Sequence, residues 1–277
     1  MAEFPNRFFR YFDFKGAFET IETRNIRWAH TSTLNDPFDC KINVGEPPDI
    51  NNPNINECLA ALSNDPKFKL IIGMRDTPGW DDNLNIFLNN IFRDFRIHAL
   101  SLPSLIKSIM DINYILSLTT EFNNLLMWAH YTNNHTGAVI EFSPEKNNAF
   151  CAAEEVKYRD DIPRLFGTER DCIEFAIKGS TPESRKEIYD LCVLTKSSHW
   201  KYEKEWRITC PWPEAKGLPH YDVRLNDYDI KSLYLGCQMG LVNKNNIIKL
   251  VNHEFPSANV FIAKPNESRF SLDFVNL

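Results

Sequence analysis

Cysteine pairs at zinc or redox spacing are missing from this chain. Its seven cysteines (Cys40, Cys58, Cys151, Cys172, Cys192, Cys210 and Cys237) are odd in number, scattered, and never form a CxxC. That argues against a zinc knuckle or a disulfide framework and for reduced thiols in a cytoplasmic protein. Long apolar runs are missing too. LLMWAH and IIGM are short and interrupted, so no membrane span is expected. The opening MAEFPNRFFRYFDF lacks the basic segment and cleavage site of a signal peptide, which also points to the cytoplasm. Positive charge is not in excess: the formal net charge is −6. Bulk electrostatics give no case for nucleic-acid binding, so nucleic acid is expected at most as an acceptor of a transferred group.

What is present is an ordinary globular composition, 43% hydrophobic and 25% charged over 277 residues. One α+β domain spanning 1–277 is expected, with a helical insertion or cap at 56–110. Strand character marks Phe8–Phe12, Asn25–His30, Tyr114–Thr119, Gly137–Phe142, Glu154–Tyr158, Tyr221–Leu225, Ile230–Gly236 and Asn259–Ala263. Helical spacing marks Lys15–Arg24, Asn123–Tyr131, Thr168–Lys178, Pro182–Lys196 and Asn243–Leu250. Thr31–Asp39 is dense in turn and capping residues and should be a structured loop. The stretch 46–60 is rich in Pro and Asn and has no clear period. In the helical block beyond it, Pro66, Pro78 and Pro103 should punctuate the helices.

The segment WKYEKEWRI, Trp200–Ile208, carries two carboxylates two residues apart. As a strand it would place Glu203, Glu205 and Arg207 on one face and Tyr202, Trp206 and Ile208 on the other. An exposed ladder paired to Lys or Arg would account for the acids. Against that, Trp200, Tyr202 and Trp206 surround them with apolar surface, and desolvation strengthens a carboxylate's pull on a bound cation. His130 and His135 are five apart across a helix end. That is not the four-residue spacing that puts two imidazoles on one helical face, so no metal is expected.

FFRYFD, STLNDPFD, LLMWAHYTNNHTGAVIEF and KSSHWKYEKEWRI, in that order, resemble a bacterial domain-of-unknown-function family over nearly the whole chain outside the helical block. Leu34 stands where that family usually has Phe. A weaker similarity is to ADP-ribosyltransferases: a strand bearing Arg, a Ser-x-Thr strand, and a late Glu-x-Glu. It implies a mixed, largely antiparallel split sheet with a helical insertion, gripping NAD as substrate. On that resemblance Arg10, Ser117 and Thr119 bind the cofactor; beside them Tyr131 or Trp128 would stack on nicotinamide and His130 would be a hydrogen-bonding partner in the pocket. Glu205 stabilises the oxocarbenium ion as nicotinamide leaves, and Glu203 orients an unknown acceptor. A bacterial toxin or phage-defence effector is the implied role. Two alternatives stand beside it. One is a metal-dependent nuclease built on Glu155-Val-Lys157 with Asp36 or Asp39. The other is a non-catalytic ligand-sensing or interaction module, in which the Glu pair is neutralised by Arg207 and nearby lysines.

Overall fold

Alternating aromatic and aliphatic residues at both ends of the chain build one large sheet. The computed structural model describes residues 4–45, 54–63, 66–145, 148–166, 168–178 and 181–277. In chain order the elements are β1 (Phe8–Phe12), α1 (Phe14–Thr23), β2 (Asn25–His30), α2 (Ile55–Ser63), α3 (Lys69–Ile72), α4 (Trp80–Met110), β3 (Asn113–Thr119), α5 (Leu125–Tyr131), β4 (Ala138–Phe142) and β5 (Glu154–Glu155). There follow β6 (Lys157–Arg159), α6 (Glu169–Lys178), α7 (Pro182–Val193), β7 (Thr195–Ser197), β8 (Glu205–Pro211), β9 (His220–Arg224), β10 (Ile230–Leu235), α8 (Leu241–Glu254), β11 (Asn259–Pro265) and β12 (Leu272–Asn276). The chain divides into two compact units. One comprises Met1–Pro37, Asp111–Tyr158 and Lys196–Leu277; the other comprises Phe38–Met110 and Arg159–Thr195.

The first unit is mixed α/β with a largely antiparallel sheet in the order β12-β11-β10-β4-β1-β3-β2-β9, with β8 on β3 and β5 on β8. Among the described residues of this sheet only β10 and β11 pair in parallel, and α8 makes the crossover a parallel pair requires. One edge of β3 is bonded by β8 from Asn113↔Pro211 to Thr119↔Glu205. The other edge is shared. β1 reaches it only at Phe9↔Thr119, and β2 only at Ala29↔Ile115 and His30↔Tyr114. The sheet therefore opens between β1 and β2, the strands that α1 connects. Asp13 caps α1 by accepting from the Gly16 N–H at 2.7 Å, and left-handed Arg24 ends it.

Side chains alternate across β1, which defines the two sheet faces. Phe8 and Phe12 pack with Ala17 and Ile21 of α1 and with Ile208 of β8. Phe9 and Tyr11 pack on the other face with Met127 and Trp128 of α5. Separately, β6 pairs with β7 in a two-stranded sheet.

The second unit is helical and extends beyond the expected insertion, since α6 and α7 belong to it with α2–α4. Its core gathers Cys58, Leu62, Leu88, Phe92, Phe95, Phe166 and Ile173. Pro103 does not end α4, contrary to expectation. A helical proline deletes one backbone bond and costs about 3 kcal/mol. Burial of Leu84, Leu88, Phe92, Phe95 and Leu102 along the same helix outweighs it. Residues 46–53 of the Pro- and Asn-rich stretch lie outside the described residues.

Candidate functional site

WKYEKEWRI is not one strand. Ser198–Glu203 is a 3-10 helix ended by Lys204 in the left-handed conformation (φ 44°), and β8 begins only at Glu205. The turn rotates Glu203 out of strand alternation, yet both carboxylates still converge. They meet on Lys196, which sits in β7 rather than at the end of a helix as its sequence spacing suggested. Lys196 Nζ donates to Glu203 Oε2 at 2.5 Å and to Glu205 Oε2 at 2.8 Å. Arg207 Nε donates to Glu205 Oε1 at 2.8 Å and its Nη2 to Oε2 at 3.2 Å. Lys196, Glu203, Glu205 and Arg207 are 7%, 4%, 3% and 1% exposed, so two cations balance two anions inside the protein.

Neighbouring polar groups complete the network. The Tyr131 hydroxyl donates to Glu203 Oε1. The Glu205 N–H donates to the Tyr158 hydroxyl at 2.8 Å, and Thr119 Oγ1 donates to the Glu203 carbonyl at 2.5 Å. Lys196 also lies 5.2 Å from the Trp200 ring centroid, whose indole N–H donates to Asp36 at 2.7 Å. Burial alone raises the Glu205 carboxyl, but Arg207 and then Lys196 outweigh burial and hold it at about 2. Burial lowers Lys196, while Glu205 and Glu203 more than reverse that and keep it above the ordinary lysine range. Burial and then Glu203 push the Tyr131 phenol up. Burial, aided by the Glu205 charge, takes the Tyr158 phenol to about 12. The Glu205 carboxylate and the Lys196 ammonium are thereby both charged across the neutral pH range.

Side chains open to solvent edge this cluster. Asn124 caps α5 by accepting from the Leu126 and Met127 N–H groups, and its Nδ2 donates to the Tyr202 carbonyl at 2.9 Å. That ties α5 to the 3-10 turn. His130, at the end of α5, lies 3.2 Å from the Tyr202 hydroxyl through Nδ1, and Asn35 Nδ2 lies 3.4 Å from the Tyr131 hydroxyl. His130 and Asn35 are exposed, and Tyr131, Tyr202 and Trp200 are half-buried.

The structure brings together Glu203, Glu205, Thr119, Tyr131 and, through Tyr202, His130. Ser117 faces the same way as Glu205, because Ser117 opposes Arg207 and Thr119 opposes Glu205 across the β3–β8 ladder. Trp128 is fully buried, with its N–H on the Phe122 carbonyl and its ring against Tyr11 and His135. It has no face open to a ligand. Arg10 is not part of the cluster. It follows Phe8 and Phe12 on β1, whereas Phe9, opposite Thr119, marks the face of Glu205. Among the described residues no three of His, Cys, Asp or Glu are grouped as metal ligands, and no helix is long and apolar enough to cross a membrane.

Residues 127–208 match the family model for a protein of unknown function, DUF2971. No curated protein and no solved structure matches the chain. The DUF2971 segment begins in α5 and ends in β8, so it contains Tyr131, Tyr158, Lys196, Glu203, Glu205 and Arg207. The matched stretch thus encloses every charged member of the buried cluster. Arg10, Ser117 and Thr119 lie outside it. Sequence reasoning passed over Lys196 and Tyr158 as site residues. The available signal for Lys196 was a lysine opening the segment KSSHWKYEKEWRI that carries both acids.

Proposed function

We propose that the DUF2971 segment is a ligand-recognition module in which the buried charges hold a polar aromatic rim in place. One observation carries this reading: both carboxylates are interior and ion-paired, Glu203 to Lys196 and Glu205 to Lys196 and Arg207. A carboxylate already shared between two cations has little field left for a developing positive charge. Removing either partner would leave an unpaired charge buried, so the cluster is suited to fixing a shape. The rim it fixes offers phenols from Tyr131 and Tyr202, the His130 imidazole, the Asn35 amide and the Trp200 indole. Such a set suits a planar, hydrogen-bonding ring of the nucleobase or nicotinamide kind. NAD is the first ligand to try.

A second reading is an ADP-ribosyltransferase-like enzyme that cleaves the nicotinamide glycosidic bond. It is favoured by one specific feature, the shared sheet face of Ser117, Thr119 and Glu205. In that reading a bound substrate has to draw Glu203 or Glu205 away from Lys196, after which the freed carboxylate stabilises the oxocarbenium ion.

Calorimetry with NAD and with nicotinamide, run beside an assay for nicotinamide release with and without cell lysate, separates the two. The recognition reading expects saturable binding, lost in Tyr202→Ala, and no release. Release that vanishes in a folded Glu205→Gln variant would establish the enzyme instead. Absence of both binding and release removes NAD and nicotinamide from either account.

A further inference from the structure

Every buried cation of the DUF2971 cluster has carboxylate partners; among the described residues Arg10 has none. Its Nη1 donates to the Arg27 carbonyl at 2.6 Å and its guanidinium lies 5.2 Å from the Phe12 ring centroid. Among the described residues no carboxylate pairs with it. Burial first, and then the charge of Arg27, lowers Arg10 to about 10. A half-buried guanidinium beside a second cation is unfavourable in the free protein, and the fold has kept it.

Arg10 opens into a cavity of about 530 Å³ where the sheet parts between β1 and β2, under α1. That volume falls in the range for small-molecule sites, roughly 300–1,000 Å³. Arg10 and Phe12 contribute from β1, Thr20 and Thr23 from α1, Arg27 from β2 and Asp222 from β9. Arg27 is weakly committed to Asp222, at 3.4 Å between half-exposed groups. The Arg10 guanidinium has five N–H donors, of which the Arg27 carbonyl engages one nitrogen, so its fork retains donors for a ligand. A planar donor fork of this kind matches carboxylate or phosphate oxygens two at a time. Glu19 and Glu22 line the same cavity. They disfavour a bare polyanion and favour an anionic group carried on a molecule that also has hydroxyl or amino donors.

We propose that the opening between β1 and β2 is a binding site for a small molecule bearing a carboxylate or phosphate group, held by Arg10 with Arg27. None of the residues that line it belongs to the recognition rim, so it stands whether or not NAD binds there.

The test is calorimetry on the full chain at constant ionic strength. The amino-acid anions aspartate and phosphoserine and the hydroxy acid malate serve as probes, with thermal melts alongside. Saturable binding of at least one probe is expected, weakened about tenfold or more in Arg10→Gln and also reduced in Arg27→Gln. Without ligand, Arg10→Gln should melt no lower than wild type, because a repelled charge is removed. Binding that is unchanged in both variants overturns the proposal, as does the failure of all three probes to bind wild type. If Arg10→Gln does not fold, Arg27→Gln and Thr23→Trp, which fills the cavity from α1 without adding charge, still decide it: a full-strength isotherm in both refutes the site.

Discussion

At the scale of single residues, the decisive balance is between the cost of burying Glu205 and the field of its two cations. The cations win, which gives a testable acid limb. With its folded value at about 2 and an ordinary value of 4.5, Glu205 stabilises the fold fully above about pH 4.5. As pH falls below that, the unfolded chain takes up a proton that the folded one refuses. The contribution shrinks and is gone below about pH 2. Lys196 is shifted upward, so its contribution is complete at every pH below the ordinary lysine value and adds no slope here. We expect urea unfolding of wild type minus Glu205→Gln to show a stability difference that is constant from pH 7 to 5. It should then fall by about 3 kcal/mol toward pH 2. A difference independent of pH would mean that Glu205 is not held by Lys196 and Arg207 in solution.

The same residue scale shows what was legible in the sequence. The two acids of Tyr-Glu-Lys-Glu-Trp stand out by repulsion and aromatic company, and their burial follows. Their common partner does not stand out. Lys196 follows Ile188, Leu191, Cys192 and Leu194 at helical spacing, and only tertiary pairing with β6 turns Thr195–Ser197 into a strand. Arg10 is equally opaque. The alternation of FFRYF places it opposite Phe9 and Tyr11 on β1, but which face carries Glu205 depends on the β3–β8 register, which no local pattern encodes.

At the scale of elements, strands and helices with strong alternation or spacing were readable, and junctions were not. The turn between α5 and β4 is the clearest case. Asn133, Asn134 and His135 are consecutively left-handed, with φ of 49°, 57° and 62°. Asn tolerates this conformation through local hydrogen bonding; His135 is held by stacking on Trp128 and by a bond from the Gln238 N–H to its carbonyl at 3.0 Å. That carbonyl sits against Gly236, where a Cβ would overlap it and would also crowd the Gly137 carbonyl. Backbone, not a flexible side chain, is what would have to move. Gly236→Ala should therefore destabilise the protein by about 2 kcal/mol or more, measured as a fall in the urea midpoint with unchanged slope. Gly240→Ala, with nothing near its Cβ position, is the matched control and should be close to neutral. Equal effects of the two substitutions would show that the turn yields more easily than its packing indicates.

At the scale of the whole molecule, two units with separate cores are woven from alternating stretches of one chain. The second unit is entered at Phe38 and again at Arg159, so its helices α2–α4 and α6–α7 meet only after β3–β6 have been made. Sequence periodicity found each helix, but it could not show that two groups of helices nearly sixty residues apart share one core. Phe95 is the residue that tests this. It is 1% exposed, and its ring lies 4.7 Å from Phe166 and 6.2 Å from Phe175, centroid to centroid. Truncation to Ala removes these contacts and leaves a cavity, at a cost of about 3–5 kcal/mol. Because that loss belongs to one core, hydrogen exchange of Phe95→Ala should accelerate together in 80–110 and 169–193, from opposite sides of the intervening sheet strands in sequence. The amides of 113–119 and 138–142, in β3 and β4, should keep their protection. Acceleration spread evenly over all four segments would make the two cores a single cooperative unit. Acceleration confined to 80–110 would detach α6 and α7 from the core that Phe166 and Phe175 are placed to join.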